Sequence, residues 1–188
     1  MDDMKEEKLI ENLFDTLIKE ENRGQRFYRD AARFVSDREA RRVFEWLAVE
    51  ETYHTDVLVS MRKEFMAGEP APVKTAAKTD TKKIYYDGDT IKIYDLRIEE
   101  DEEILPPQLE LFRANDFKNL LEHADVKTVL KFAMQIEYEN FKYLVDLAKT
   151  LEIDPYRNLL KQLADQEKRH FQLLRGHFEK AGGMTARA

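Results

Sequence analysis

Two stretches of the chain, "LAVEETYHTDVL" and "LADQEKRHFQLL", each place a histidine three residues after a glutamate. The pairs are Glu51 with His54 and Glu167 with His170. Residues three apart on a helix share a face, so the carboxylate and the imidazole of each pair can reach one point. Carboxylate oxygens and imidazole nitrogens together suit divalent metal ions, so the chemistry on offer is that of a metal site. A single Glu-x-x-His in a chain with this much glutamate reads as an exposed contact between helix neighbours. Two of them carry more weight.

The two pairs repeat at a fixed offset. From Glu51 to Glu167 is 116 residues, and so is the step from His54 to His170. Without a gap, that offset lays Leu47 and Ala48 on Leu163 and Ala164, Arg41 on Arg157, Leu58 on Leu174, Ala32 on Ala148 and Asp30 on Asp146. Carried further back, it lays Glu21 on Glu137. This is an internal duplication.

The elements that must position these residues are helices. Ile10, Leu13, Phe14, Leu17, Gly24, Tyr28 and Ala32 recur at spacings of three and four, which predicts a helix over about Lys5–Val35. Ser36 and Asp37 offer N-caps for a second, with Ala40, Phe44, Leu47, Leu58, Met61 and Phe65 on its stripe and "AGEPAP" at its end. Asp125 is placed to cap a third, which carries Val126, Val129, Leu130, Ala133, Leu144 and Ala148. Asp154 as N-cap and Pro155 at the first helical position open a fourth along Leu159, Leu160, Leu163, Leu174 and Phe178, stopped by Gly182 and Gly183.

Between the hairpins the helical period is lost. "KKIYYDGDTIKIYDL" predicts a short β-hairpin around Asp87 and Gly88, "EEDEE" reads as a solvated acidic loop, and Phe117–His123 as one short helix. The chain therefore reads as one all-α domain over residues 1–188. Hairpin one covers about 5–67, a long crossover about 68–124, and hairpin two about 125–181, together an antiparallel four-helix bundle.

On these helices the paired residues fall on the buried stripes. Glu21 lies on the line 14–17–21–24–28, and Glu51 with His54 on 44–47–51–54–58–61. Glu137 lies on 130–133–137–144, and Glu167 with His170 on 160–163–167–170–174. Four carboxylates and two imidazoles thus point into one interior. A lone buried carboxylate costs several kcal/mol, and four at one level repel one another. Two divalent cations balance the four charges, and the imidazoles complete the ligand shells. The same set, two Glu and two Glu-x-x-His, serves dinuclear iron and manganese sites in helix bundles.

Other candidates have plainer readings. Tyr28 is two turns from Glu21 on the inner face and can hydrogen-bond a ligand carboxylate or simply pack, as its counterpart Leu144 does. His123 reads as structural at a helix end, and His177 as a core or entrance residue. Tyr53 and Tyr138 read as boundary residues.

Composition narrows the class. The net charge of −7 argues against a nucleic-acid or anionic membrane surface as partner. The absence of cysteine removes disulfides, thiolate ligands and thiol nucleophiles. The acidic start "MDDMKEEKLIENLF" lacks the apolar stretch of a secretory signal, and no run of about 18 apolar residues occurs, so a cytoplasmic protein is expected.

At these residues the chain resembles the ferritin-like superfamily, and within it the rubrerythrin group. "EENRGQRFYRDAA" and "FEWLAVEETYHTDVL" look like that group's first hairpin, "IEYENFKYLVDLA" and "LKQLADQEKRHFQLL" like its second. The likeness covers roughly residues 8–66 and 125–178. It implies a centre of two iron ions, with manganese the alternative. Glu51 and Glu167 would bridge the metals, His54 and His170 would bind one each, and Glu21 and Glu137 would be the outer carboxylates.

The activity implied is reduction of hydrogen peroxide or dioxygen in oxidative-stress defence. The alternatives are a ferroxidase acting on ferrous ion, or a bundle that binds a partner and holds its metal for structure. Without cysteine there is no rubredoxin module, so a separate electron-donor protein is implied. Met134 stands where the group carries an extra glutamate one turn before the outer Glu of its third helix. The long crossover suggests a homodimer, with helices exchanged between protomers.

Overall fold

The computed structural model describes residues 3–68, 85–86, 89–90, 121–151 and 153–183. Four long helices make up nearly all of it. They are α1 (Asp3–Phe34), α2 (Arg38–Met66), α3 (Val126–Thr150) and α4 (Asp154–Gly183). α1 packs along α2 and α3 along α4, each pair antiparallel because its connection is only about three residues long. The two pairs pack together as a helical bundle. No described helix is long and apolar enough to cross a membrane.

The helix boundaries follow from side-chain chemistry. Asp37 is extended and accepts a hydrogen bond from the Ala40 amide at 2.8 Å, satisfying a donor the first turn leaves open. Asp125 does the same for the Thr128 amide at 2.7 Å. α2 ends at Ala67 and Gly68, whose amides donate to the Lys63 and Phe65 carbonyls at 3.0 Å. Gly68 has φ +66°, a left-handed conformation that costs a glycine little. Asp154 is not the cap expected of it. The helix already includes it, with the Ile153 carbonyl accepting from the Arg157 amide at 3.0 Å, and the Asp154 carboxylate pairs with Arg157 instead.

Within the crossover, Tyr85–Tyr86 (β1) and Asp89–Thr90 (β2) pair antiparallel, Tyr85 opposite Thr90 and Tyr86 opposite Asp89, where the sequence predicted a hairpin. Residues 121–123 are helical, in the last part of the short helix expected at 117–123. The rest of that expected helix and the "EEDEE" loop lie outside the described residues.

The interior holds two apolar clusters. One gathers Phe27, Tyr28, Phe44, Leu47, Leu130, Phe171 and Leu174 toward the α1–α2 and α3 N-terminal connections. The other gathers Ile10, Phe14, Leu17, Leu58, Leu144, Leu160 and Leu163 toward the opposite end. Glu21, Glu51, His54, Glu137, Glu167 and His170 belong to neither, and all are buried. By helix position they form a polar layer between the two.

Candidate metal centre

Each helix delivers its ligand groups from the same stripe that builds the core. Leu17 and Tyr28 flank Glu21, Leu47 and Leu58 flank Glu51 and His54, and Leu163 and Leu174 flank Glu167 and His170. All six flanking side chains are buried. Packing of these neighbours fixes the height and rotation of each helix, and the polar residues inherit that placement.

The six sequence-predicted residues converge into two overlapping groups, each with ligand atoms within 4.8 Å of one another. One comprises Glu21, Glu51, His54 and Glu167; the other comprises Glu137, Glu167, His170 and Glu51. Nδ1 of His54 lies 3.2 Å from Glu21 Oε2 and 3.2 Å from Glu167 Oε1. Nδ1 of His170 lies 3.3 Å from Glu137 Oε2. The His54 and His170 rings stack, with centroids 5.4 Å apart and planes 15° from parallel.

Many of these atoms have no hydrogen-bond partner. Both carboxylate oxygens of Glu51 and of Glu167, Glu137 Oε2 and His170 Nδ1 are buried and unpaired. Leaving a buried acceptor unpaired costs about 1–3 kcal/mol, and more for a charge. A cluster of such atoms facing one another is the donor set of a cation site, and these buried groups can hold a metal ion.

Without a cation, protons hold the layer together. Burial, and then the charges of Glu21 and Glu167, raise the Glu51 carboxyl well above the usual carboxylate range. Burial and the neighbouring Glu167 bring Glu137 up to about 8. Burial pushes Glu167 up too, but the adjacent Glu137 carboxyl and the His170 and His54 imidazoles outweigh it and hold this carboxyl well below its usual range. Burial disfavours both imidazolium ions, yet the carboxylates prevail. Glu21 and Glu167 lift His54 well above its ordinary value, and Glu137 and Glu167 lift His170 to about 9.

Around the layer, Tyr28 donates its hydroxyl hydrogen bond to Glu137 Oε1. Its ring stacks on Phe44 at 6.1 Å. Burial, followed by the charges of Glu137 and Glu51, raises the phenol well above its ordinary value, so Tyr28 stays protonated. Gly24, one turn beyond Glu21, makes room for a ligand. A Cβ there would sit 3.3 Å from both Cδ and Oε2 of Glu51.

The remaining candidates stay outside the centre. His123 is exposed; His177 is partly buried, its pKa lowered by burial and by Lys180. Neither joins a ligand group among the described residues. Tyr53 and Tyr138 are partly buried, with Tyr138 against the Phe171 ring.

Sequence reasoning missed three residues. Besides Gly24, Gln166 places Oε1 2.6 Å from His54 Nε2, and Glu50 is buried with a carboxylate oxygen within 4.8 Å of a ring nitrogen of His54 and of His170. The signal was present: the offset of 116 that relates the ligands also lays Glu50 on Gln166.

Comparison with protein-family models, with curated proteins and with solved structures gave no match.

Proposed function

We propose that the bundle holds two divalent metal ions, iron with manganese as the alternative, and is a redox enzyme of the rubrerythrin type that reduces hydrogen peroxide or dioxygen. The observation that carries this reading is the overlap of the two ligand groups: Glu51 and Glu167 belong to both. Two oxygens of one carboxylate, each near a different histidine, are what a pair of ions sharing bridging ligands requires. Each group is then completed by residues of its own, Glu21 and His54 in one, Glu137 and His170 in the other. The ferritin-like resemblance of both hairpins supports the same assignment.

When bound, a reduced metal pair would supply two electrons to an oxidant, and a separate donor protein would restore them. The chain's part is to place the ions, exclude water and orient the ligand carboxylates. Glu21, Glu51, His54, Glu137, Glu167 and His170 would hold the ions, their four carboxylates balancing four positive charges. The apolar clusters on either side keep bulk water from the layer. Tyr28 holds Glu137 through Oε1 and leaves Oε2 directed at His170. Metal binding would displace the protons of Glu51, Glu137 and the histidines, so loading is expected to release protons.

A second reading, a ferroxidase whose substrate is ferrous ion, is favoured by Met134. This buried thioether lies one turn before Glu137, where the rubrerythrin group has a further carboxylate. Anaerobic loading with two ferrous ions per chain, then stopped-flow mixing separately with hydrogen peroxide and oxygen, decides between them. Much faster oxidation by peroxide, with repeated turnover on a supplied reductant, is expected of the reductase. Oxidation at least as fast by oxygen points to the ferroxidase, and failure to bind two ions removes both.

A further inference from the structure

Glu50 and Gln166 stand at equivalent positions of the duplication, each immediately before a ligand glutamate, and they differ in charge. Gln166 sits behind its histidine, on the Nε2 side of His54, away from the Nδ1 atom that faces the ligand carboxylates. From α4, Gln166 reaches across to His54 on α2, with Oε1 2.6 Å from Nε2. By the same symmetry, Glu50 on α2 lies across from His170 on α4, its carboxylate within 4.8 Å of a ring nitrogen of each histidine. An imidazole whose Nδ1 lone pair binds a cation carries its proton on Nε2, and that one N–H serves one strong acceptor. On His54 the acceptor is Gln166, so Glu50 is left to His170.

The two acceptors are not equivalent. A carboxylate behind a ligand histidine adds a negative charge near the cation and makes the imidazole a stronger base. An amide oxygen orients the ring equally well but brings no charge. Glu50 is 5 % exposed, so solvent screens its charge only weakly. Elsewhere in the layer the duplication keeps ligand type symmetric, since each half contributes Glu, Glu and His.

We propose that Glu50 and Gln166 make the two metal positions unequal, the one beside His170 filling first and binding a divalent cation about tenfold more tightly than the one beside His54. The inference rests on the two-metal reading and deepens it. The two residues touch no metal and act through the histidines. The imbalance gives the pair an order of loading, with the ion beside His54 the one that exchanges.

The test is to grow crystals with one Mn²⁺ per chain and measure anomalous density at the two positions, in the wild type and in the double variant Glu50→Gln, Gln166→Glu. Expected is density mainly beside His170 in the wild type and mainly beside His54 in the variant. The swap conserves composition and total charge, so a general structural loss cannot produce that reversal. Should the double variant fold poorly, Glu50→Gln alone is read in the same way and brings the two occupancies toward equality. Equal occupancy in the wild type, or a preference that both variants leave in place, overturns the inference while leaving a two-metal centre intact. Fewer than two Mn²⁺ bound per chain at saturation overturns the centre and the inference with it.

Discussion

Glu51 and Glu167 face each other across the bundle, and each reaches both histidines. Glu51 places Oε2 3.9 Å from His54 Nδ1 and Oε1 3.8 Å from His170 Nδ1. Glu167 places Oε1 3.2 Å from His54 Nδ1 and Oε2 3.7 Å from His170 Nδ1. Helices α2 and α4 therefore contribute the shared part of the centre, while Glu21 of α1 and Glu137 of α3 complete one half each.

That division of labour predicts unequal losses. Glu51→Gln or Glu167→Gln weakens both positions, and we expect Mn²⁺ affinity to fall by about 100-fold or more, beyond what supporting groups of metal ligands are worth. Glu21→Gln weakens only the position beside His54. Metal content after dialysis against a fixed free Mn²⁺ concentration reads both effects. A Glu51→Gln protein that keeps the full complement at wild-type affinity contradicts the shared role.

The metal-free protein loses stability as pH rises. His170 holds its proton to about 9 in the folded chain against an ordinary 6.5, and Glu137 to about 8 against 4.5. For a raised group the stabilisation is fully present below the unfolded value and disappears as pH climbs through the folded one. Glu167, held low, contributes in the opposite sense, above the ordinary value of 4.5 and lost below it. Melting temperature in chelator should then decline between about 4.5 and about 9. Bound cations replace those protons, so metal affinity should rise over the same range. A chelated protein that melts higher at the alkaline end contradicts the assignment.

Gly24→Ala brings a methyl group to 3.3 Å from the Glu51 carboxylate, closer than such contacts normally sit. The helix itself gains from alanine by about 1 kcal/mol. The expected outcome is therefore split: metal-free melting unchanged or slightly raised, Mn²⁺ affinity lowered by about tenfold. Parallel melting and titration curves check it, and unchanged affinity would mean that Glu51 has another place to go.

Tyr28→Phe keeps the ring on Phe44 and removes the donor to Glu137 Oε1. An acceptor orphaned in the interior costs about 1–3 kcal/mol. For a chain of this length each kcal/mol lowers the melting temperature by about 2–4 °C. Calorimetry of the metal-free variant measures the cost directly, and a loss well under 1 °C would show that Glu137 does not depend on the phenol.

The helices and the residues that meet at the centre were legible because two periodicities agree. The 3.6-residue stripe fixed the inner faces, and the 116-residue offset matched a glutamate and a Glu-x-x-His on each half. Asp37 and Asp125 were readable as caps from their position before an apolar run. Asp154, read in the same way, lies inside the helix instead, its carboxylate paired with Arg157. Glu50 escaped for a geometric reason. It lies about 100° around the helix from Glu51, and it is buried beside His54 of its own helix and His170 of α4. The acceptor for each histidine depends on that same approach between helices, which no pattern within one helix encodes.

The polar layer also sets how the helices can slide. A helix displaced by one turn moves its side chains about 5.4 Å along the bundle. For α1 such a slip carries Glu21 into one apolar cluster and a residue with no ligand group, Leu17 or Gly24, into the layer. For α2 and α4 it displaces a carboxylate and an imidazole together. Apolar stripes alone tolerate such slips, since one leucine fills another's space at modest cost. Unpaired carboxylates do not. The layer that lowers the metal-free stability is thus an alignment mark, excluding the shifted bundles that two oily half-cores would otherwise allow.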